Sequence, residues 1–455
     1  MQKIFPRRML SVIVCAAIAA FLCLSGCRVE VQESEGKPST SENLQKIVLT
    51  VSGVGLGFPP ENRSDEEMLA SFEKNSGAKI VISQTAHTNN VQSYLSYLEL
   101  LDHSASLPDV MIFPSLSAIS EKVILTDITD MVAAEQDWKE VPLPLQNAVT
   151  TADSIFAVPL RYSLEGYFVN HNLFEKEKIS VPSFAWTLSR FSSNIRKFAA
   201  NNQIIPVSNF YEIPLWYPLL KDDSAVWGAY GKNGFDFESK TFSAGIQYAR
   251  QLKKGCYPDA DAENLPAYRQ STAQSQWQSG QTALFYGNTQ NLSEIKSNAF
   301  TGSFIGIPGQ LSVIDASYIG ITANAAHKKE AFALIKWLSF GSDGVKKRLS
   351  SESNPMTNQI PLTKNNNLLQ QFLKQCNYGG VAEALEQIDQ AVVNGEDYLP
   401  QYHNVMFQTQ YSLGNQQGAH SLEEILQMAI DGKLAYAEIS TELNRLVHRK
   451  EESLE

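Results

Sequence analysis

The sequence lacks the compact catalytic signatures that a chain can carry in plain view. It contains no His-Glu-x-x-His, no Gly-x-Ser-x-Gly and no Gly-x-x-x-x-Gly-Lys-Ser/Thr. A zincin helix, a nucleophile elbow and a P-loop are therefore excluded. The seven histidines include no i, i+4 pair, so no metal spacing is present. A catalytic site dispersed along the chain would leave no such trace. Positive charge is also scarce: 37 Lys and Arg stand against 48 Asp and Glu, a net −11, without a long basic run. Neutralising a phosphate backbone needs clustered cations, so a nucleic-acid partner is not expected. Cysteines number five and form no Cys-x-x-Cys, which removes thiol redox and zinc-ribbon chemistry. No repeat of 20–50 residues stands out, which disfavours a solenoid or propeller.

Two near-motifs fail on inspection. Gly53-Val-Gly55-Leu-Gly57-Phe58 follows a strand, but its sixth position is Phe and Pro59-Pro60 comes next. The double proline forbids the immediate helix that would hold a pyrophosphate. Asp259-Ala-Asp261-Ala-Glu263 starts like a calcium loop, but continues with Asn264 where the loop needs Gly. No cofactor and no metal are expected.

The N-terminus reads as an address. Lys3, Arg7 and Arg8 precede an apolar run from Leu10 to Leu24, and Leu24-Ser25-Gly26-Cys27 closes it. This is the layout of a secretory signal, and a run of about 15 residues is short of the ~20 that span a bilayer. The tetrapeptide resembles the bacterial lipobox, which implies cleavage after residue 26 and acyl chains such as palmitate on Cys27. The polar stretch 28–45 cannot bury enough surface to order itself and reads as a tether. Removing the signal leaves 34 basic against 48 acidic residues, a net −14. Cys256 and Cys376 then remain, read as two isolated buried thiols, with pairing as the alternative.

With 455 residues, 43% of them hydrophobic, the body has room for two or three domains. Strand and helix signals alternate. Ile47–Val51, Ala78–Ile82 and Asp109–Phe113 read as strands, separated by helices after Ser64-Asp-Glu-Glu67, a capping-box form, and over Val91–Leu101. Later strands are expected at Ser154–Leu160, Gly166–Asn170, Thr282–Tyr286, Ser303–Ile307 and Ser317–Thr322. Helices are expected at Thr187–Ala200 and Lys328–Phe340. From Asn366 onward the strand signal fades, with helices marked by Leu385, Ile388 and Val392, by Leu422, Ile425 and Ile430, and by Ile439, Leu443 and Leu446. The pattern predicts an α/β architecture with parallel strands and flanking helices.

The order of these segments resembles the extracellular solute-binding proteins of bacterial ABC importers, in the sugar-binding class that includes maltose-binding protein. The resemblance rests on Phe72-Glu-Lys-Asn-Ser-Gly77, Leu107-Pro-Asp-Val-Met-Ile112, Leu125-Thr-Asp-Ile128 and Ile155-Phe-Ala-Val-Pro-Leu160. It continues through Tyr167-Phe-Val-Asn170-His-Asn-Leu-Phe174, Val181-Pro182 with Trp186, Trp277-Gln-Ser-Gly280 and Ile305-Gly-Ile-Pro308. It runs on to Ile319–Leu338, and Asn354-Pro355 sits where the family often has a proline. Departures include His171 and Asn172, where the family has Lys and Asp, and a shifted Trp186 box without its glutamate.

The resemblance implies a two-lobed periplasmic-binding-protein-like clamshell, each lobe a mixed sheet flanked by helices, joined by crossing hinge strands. The crossings are expected near Pro159–Tyr162, Pro308–Ser317 and Asn354–Pro361. The implied division is 1–26 signal, 27–45 tether, 46–158 and 309–354 lobe 1, and 159–308 and 355–455 lobe 2. It implies a monomer facing the extracytoplasmic side, held to the bilayer through Cys27, that binds a solute, expected to be a sugar, and docks on ABC permease subunits without enzymatic chemistry. Other readings are a peptide, polyamine or metal ligand, or a sensor partner or enzyme on the same fold. An acidic site would favour a cation; aromatics with neutral polar groups would favour sugar.

Ligands of open α/β sheets sit beyond the carboxyl ends of strands. That selects Phe58, His87, Arg161, Tyr162, Asn288, Gln290 and Tyr318. Trp216, Tyr217 and Trp227 join them as stacking candidates, since flat aromatic faces suit sugar rings. For these three, local packing is the competing reading.

Overall fold

The computed structural model describes residues 47–52, 64–83, 107–117, 125–201, 203–257, 272–296, 299–351, 359–414 and 418–452. The glycine run at 53–58, the helix expected over 91–101 and the acidic loop at 259–263 lie outside them.

The first three strands are β1 (Val48–Ser52), β2 (Lys79–Ser83) and β3 (Val110–Phe113), with helix α1 (Ser64–Ser76) between β1 and β2. Asp65, Glu66 and Glu67 fill the first turn of α1 and Lys74 its last, matching the helix dipole at both ends. β1 pairs in parallel with both β2 and β3. A side-chain clasp fixes it to β3: Thr50 donates from its amide and its hydroxyl to Asp109 Oδ2, each at 2.8 Å.

The architecture turns on β4 (Ala157–Asn170), a strand of 14 residues. Its first part pairs antiparallel with β8 (Val313–Ile321), from Ala157 opposite Gly320 to Glu165 opposite Val313. Its last part pairs antiparallel with β6 (Thr282–Asn288) and with β7 (Gly302–Gly306). Beyond β6 lies β5 (Ile205–Val207), in parallel. The sheet order is β2-β1-β3-β8-β4-β6-β5, with β7 on β4 and β9 (Val392–Val393) on β8. Two groups of parallel strands are thus joined through long antiparallel crossing strands.

The helices that flank the sheet follow their apolar stripes. Helix α2 (Leu188–Ala199) is capped by the Thr187 side chain and buries Phe191, Ile195 and Phe198. Helix α3 (Lys240–Cys256) buries Phe242, Ile246, Ala249 and Leu252. Helix α4 (Lys328–Leu338) buries Ala331, Leu334, Ile335 and Leu338, and α5 (Ser342–Leu349) follows it. Helix α6 (Asn366–Cys376) is capped by Asn365. Helix α7 (Leu422–Ile430) starts with a capping box in which Ser421 and Glu424 bond each other's backbone amides, and α8 (Tyr436–Glu452) ends the described chain.

Two cores result. One gathers Val51, Phe72, Ile112, Leu160, Ile319 and Leu334; the other gathers Val169, Phe191, Val207, Phe242, Leu284 and Ile425. The last residues of β4 alternate between them: Tyr167 and Val169 enter the second, Phe168 the first. Each fully buried Leu, Ile or Phe contributes about 1.5–3 kcal/mol, so both ends of β4 are firmly held. At its middle the backbone of β7 comes very close. A Cβ on Gly166 would lie 2.7 Å from Gly306 Cα, so only glycine permits this approach.

Two expectations change. Ala157–Leu160 and Gly166–Asn170 are not separate strands: Arg161–Glu165 continues the strand, because its backbone pairs with Val313–Ser317, while Ser154–Ile155, expected to belong to it, pairs apart with Thr150–Thr151. Val392 is not helical. The helix stops at Glu386, and Val392 pairs in parallel with Val313. Cys256 and Cys376 are both free thiols. Burial pushes the Cys256 thiol up to about 12.

Candidate functional site

Five carboxylates collect where strands end around the crossing pair. Glu165 lies on β4 and Asp315 on β8. Glu212 lies in the turn after β5, and Glu396 and Asp397 lie just after β9. Asp397 is buried and the other four are half-buried. A short helix, Gly395–Tyr398, is started by the Asn394 side chain, which accepts from the Glu396 amide at 3.1 Å. The loop after β3 reaches this helix: Ser115 and Ser117 both donate to the Glu396 carbonyl, at 2.5 and 2.6 Å. Asp397 Oδ2 accepts from the Ala316 amide of β8 at 2.7 Å.

Neutral amides hold the acids in place. Asn288, at the end of β6, donates to Asp315 at 2.5 Å and to Glu165 at 3.4 Å. Asn394 Nδ2 also lies 3.4 Å from Glu165, and Asn209 donates to Glu212 at 3.1 Å. None of the five carboxylates forms an ion pair among the described residues.

Their electrostatics follow from that crowding. Burial, then the Asp315, Glu212 and Glu396 charges, push Glu165 well above the usual carboxylate range. Burial raises Asp315 as well, against the Asn288 hydrogen bond. Burial and Glu423 push Glu212 up to about 7, and burial with Glu212 pushes Glu396 up to about 8. Asp397 is raised by burial first and Asp315 second. The arrangement offers hydrogen-bond acceptors, and donors where a carboxyl keeps its proton.

The expected site residues fall into distinct places. Asn288 stands among the carboxylates. Tyr318 is fully buried, and the charges of Asp397 and Asp315 act on its hydroxyl. Arg161 pairs instead with Asp65, which Arg348 also reaches, at 2.7 Å. Tyr162 is a core residue at 3% exposure. Trp216 and Trp227, at 0% and 1% exposure, lie in the second core. The Trp216 ring meets Phe191 edge-on at 5.6 Å and Tyr167 at 6.3 Å. Half-buried Tyr217 packs on Tyr248 at 5.2 Å, and Gln290 is exposed. Phe58, His87 and Cys27 lie outside the described residues.

Sequence reasoning missed Glu165, Glu212, Asp315, Glu396 and Asp397. The signal was present at Val313-Ile-Asp-Ala-Ser-Tyr318, where one acid interrupts an apolar strand run. Two surface hollows, of about 330 and 440 Å³, lie elsewhere, both bordered by Glu386 and Gln387. Among the described residues no His, Cys, Asp and Glu group converges as a metal site, and no helix is long and apolar enough to cross a membrane.

Paired strand groups joined by crossing strands, with polar side chains gathered at the join, define a two-lobed binding protein. The chain belongs to the bacterial extracellular solute-binding protein family, which matches residues 67–372. Solved structures agree on the fold. An ABC substrate-binding protein from Listeria monocytogenes, in complex with cycloalternan, is 15% identical with a TM-score of 0.62, over 89% of this chain and 99% of its own. A sugar transporter protein from Rhizobium etli, in an open conformation, is 14% identical with a TM-score of 0.66, over 88% and 99%. A sugar-binding protein from Xanthomonas citri is 14% identical with a TM-score of 0.64, over 88% and 96%. No curated protein sequence matches the chain.

Proposed function

We propose that this protein is the substrate-binding subunit of an ABC importer, capturing a carbohydrate between its lobes and delivering it to permease subunits in the membrane. The observation that carries this reading is the polar cluster itself. Glu165, Asp315 and Asn288 sit on the crossing strands and at a strand end, flanked by Glu212 and Glu396 and still half-exposed. A polyol presents hydroxyls that both donate and accept, and this cluster answers with carboxylates and amides. The sugar-binding neighbours support the same ligand class.

In this reading the lobes are 46–158 with 309–354, and 159–308 with 355–455. The chain acts as a monomer on the outer side of the cell membrane, tethered by residues 28–45 to lipid on Cys27. It binds and releases its ligand without chemical change. A thermal-shift screen against neutral and charged oligosaccharides tests this. A ligand at 100 times its Kd stabilises by about 2.7 kcal/mol, so above its Kd a true substrate raises the melting temperature with the logarithm of its concentration. A panel with no stabilising sugar, or a sugar recovered chemically altered, overturns the reading.

A further inference from the structure

We infer that the solute of this site carries positive charge: a carbohydrate bearing at least one protonated amine. The inference rests on the carbohydrate reading above and narrows it. Five carboxylates share the site, and none makes an ion pair among the described residues. The side chains acting most strongly on Glu165, Asp315, Glu212, Glu396 and Asp397 are other acids, amides and a serine, with no Lys, Arg or His among them. With a neutral polyol the crowded acids are held down only by proton uptake, whereas an ammonium group lets them ionise against an opposite charge.

A second observation points to a ligand. The Tyr318 hydroxyl is fully buried and has no hydrogen-bond partner among the described residues, although Asp397, Tyr398 and Asp315 act on it electrostatically. The Tyr286 hydroxyl, acted on by Glu165, Glu212 and Asp315, is also without a partner among them. A buried phenol is normally satisfied, and each of these oxygens can accept from an amine or hydroxyl. The acids do not converge on one point as metal ligands would, and their spread over four segments suits an extended solute rather than a bare ion. The amides Asn209 and Asn288 are already engaged by carboxylates, so neither is left to serve a ligand as a free donor.

Calorimetry on the full chain tests this with glucosamine trisaccharide, its fully N-acetylated counterpart, cellotriose and spermidine. The expected result is that the free-amine trisaccharide binds at least tenfold tighter than either neutral sugar, and that Asp315→Asn shrinks this preference. Equal or tighter binding of the neutral trisaccharides overturns the charge inference and leaves the carbohydrate reading standing. Spermidine binding without any sugar binding sustains the charge inference and removes the carbohydrate reading. Binding of none of the four overturns the inference. Thermal unfolding of Asp315→Asn, run in parallel, separates a folding defect from lost selectivity.

Discussion

Glu165 and Asp315 hold one amide between them. Asn288 Nδ2 reaches Asp315 Oδ2 at 2.5 Å and Glu165 Oε1 at 3.4 Å. The two acids come from neighbouring crossing strands, in which Glu165 is opposite Val313, and the amide comes from the end of a third strand. The contact therefore ties β6 to both crossings at the point where the sheet passes from one strand group to the other.

Asn288→Ala removes that shared donor and leaves two crowded acids closer to mutual repulsion. Losing a hydrogen bond to a charged or buried group costs about 1–3 kcal/mol. Denaturant titration should show a lower midpoint with an unchanged slope. An unaltered midpoint would mean the contact adds nothing to the fold.

The raised carboxylates set a pH dependence. Glu212 at about 7 and Glu396 at about 8 bind protons more tightly folded than unfolded. Their contribution is complete below about pH 4, the unfolded range, and is lost as pH rises through 7 and 8. Lowered His171 and His403 act in the opposite sense, mainly below their usual range. Above pH 7 the acids act alone among these groups. The ligand-free protein should lose on the order of 1–2 kcal/mol between pH 7 and 8.5. Glu396→Gln should lower that slope, with the other raised acids, Glu165 and Asp397 among them, carrying the remainder, and a wild-type slope in the variant would remove this account.

Arg161 tests whether structure has displaced a sequence expectation. Its guanidinium shares Asp65 with Arg348, and Asp65 is wholly buried. Breaking a buried ion pair from one side costs about 3–5 kcal/mol. Asp65→Asn should therefore lower stability by that order. Arg161→Ala should lower stability too, while the folded fraction keeps its ligand affinity. A loss of affinity at full folding would instead return Arg161 to the binding site.

The alternation of strands and helices was legible because each element carries its own period and caps: Val48–Ser52, Thr187 before α2 and the stripe of α4 were placed within a residue or two. The continuous β4 was not legible. Pro159 and the polar Arg161-Tyr-Ser-Leu-Glu165 look like a break, and only pairing with a strand some 150 residues later shows otherwise. The aromatic segment misled for a related reason. Trp216 and Trp227 lie in turn-rich sequence, yet Tyr167 and Phe191 pack on Trp216 from distant positions and both tryptophans are buried in the second core. Asn288 was named because a strand end is visible locally, and the structure places it beside Glu165 and Asp315. Glu212 and Glu396 were missed because only tertiary folding brings them together.

The two cores share one sheet, joined through the continuous β4 and its partner β8. A lobe can then rotate only by twisting these strands, which is a hinge rather than a sliding movement. The tight approach of Gly166 to Gly306 lies on this path. Closure on a ligand should lower the radius of gyration measured by small-angle scattering at saturation. Gly306, at φ +61° and with no room for a Cβ beside the Leu311 carbonyl, is where a side chain would strain the strand pair. Gly306→Ala should therefore destabilise the fold by more than about 1 kcal/mol. It should also diminish the ligand-induced scattering change. A scattering profile identical with and without saturating ligand in the wild-type protein would show that capture occurs without lobe closure.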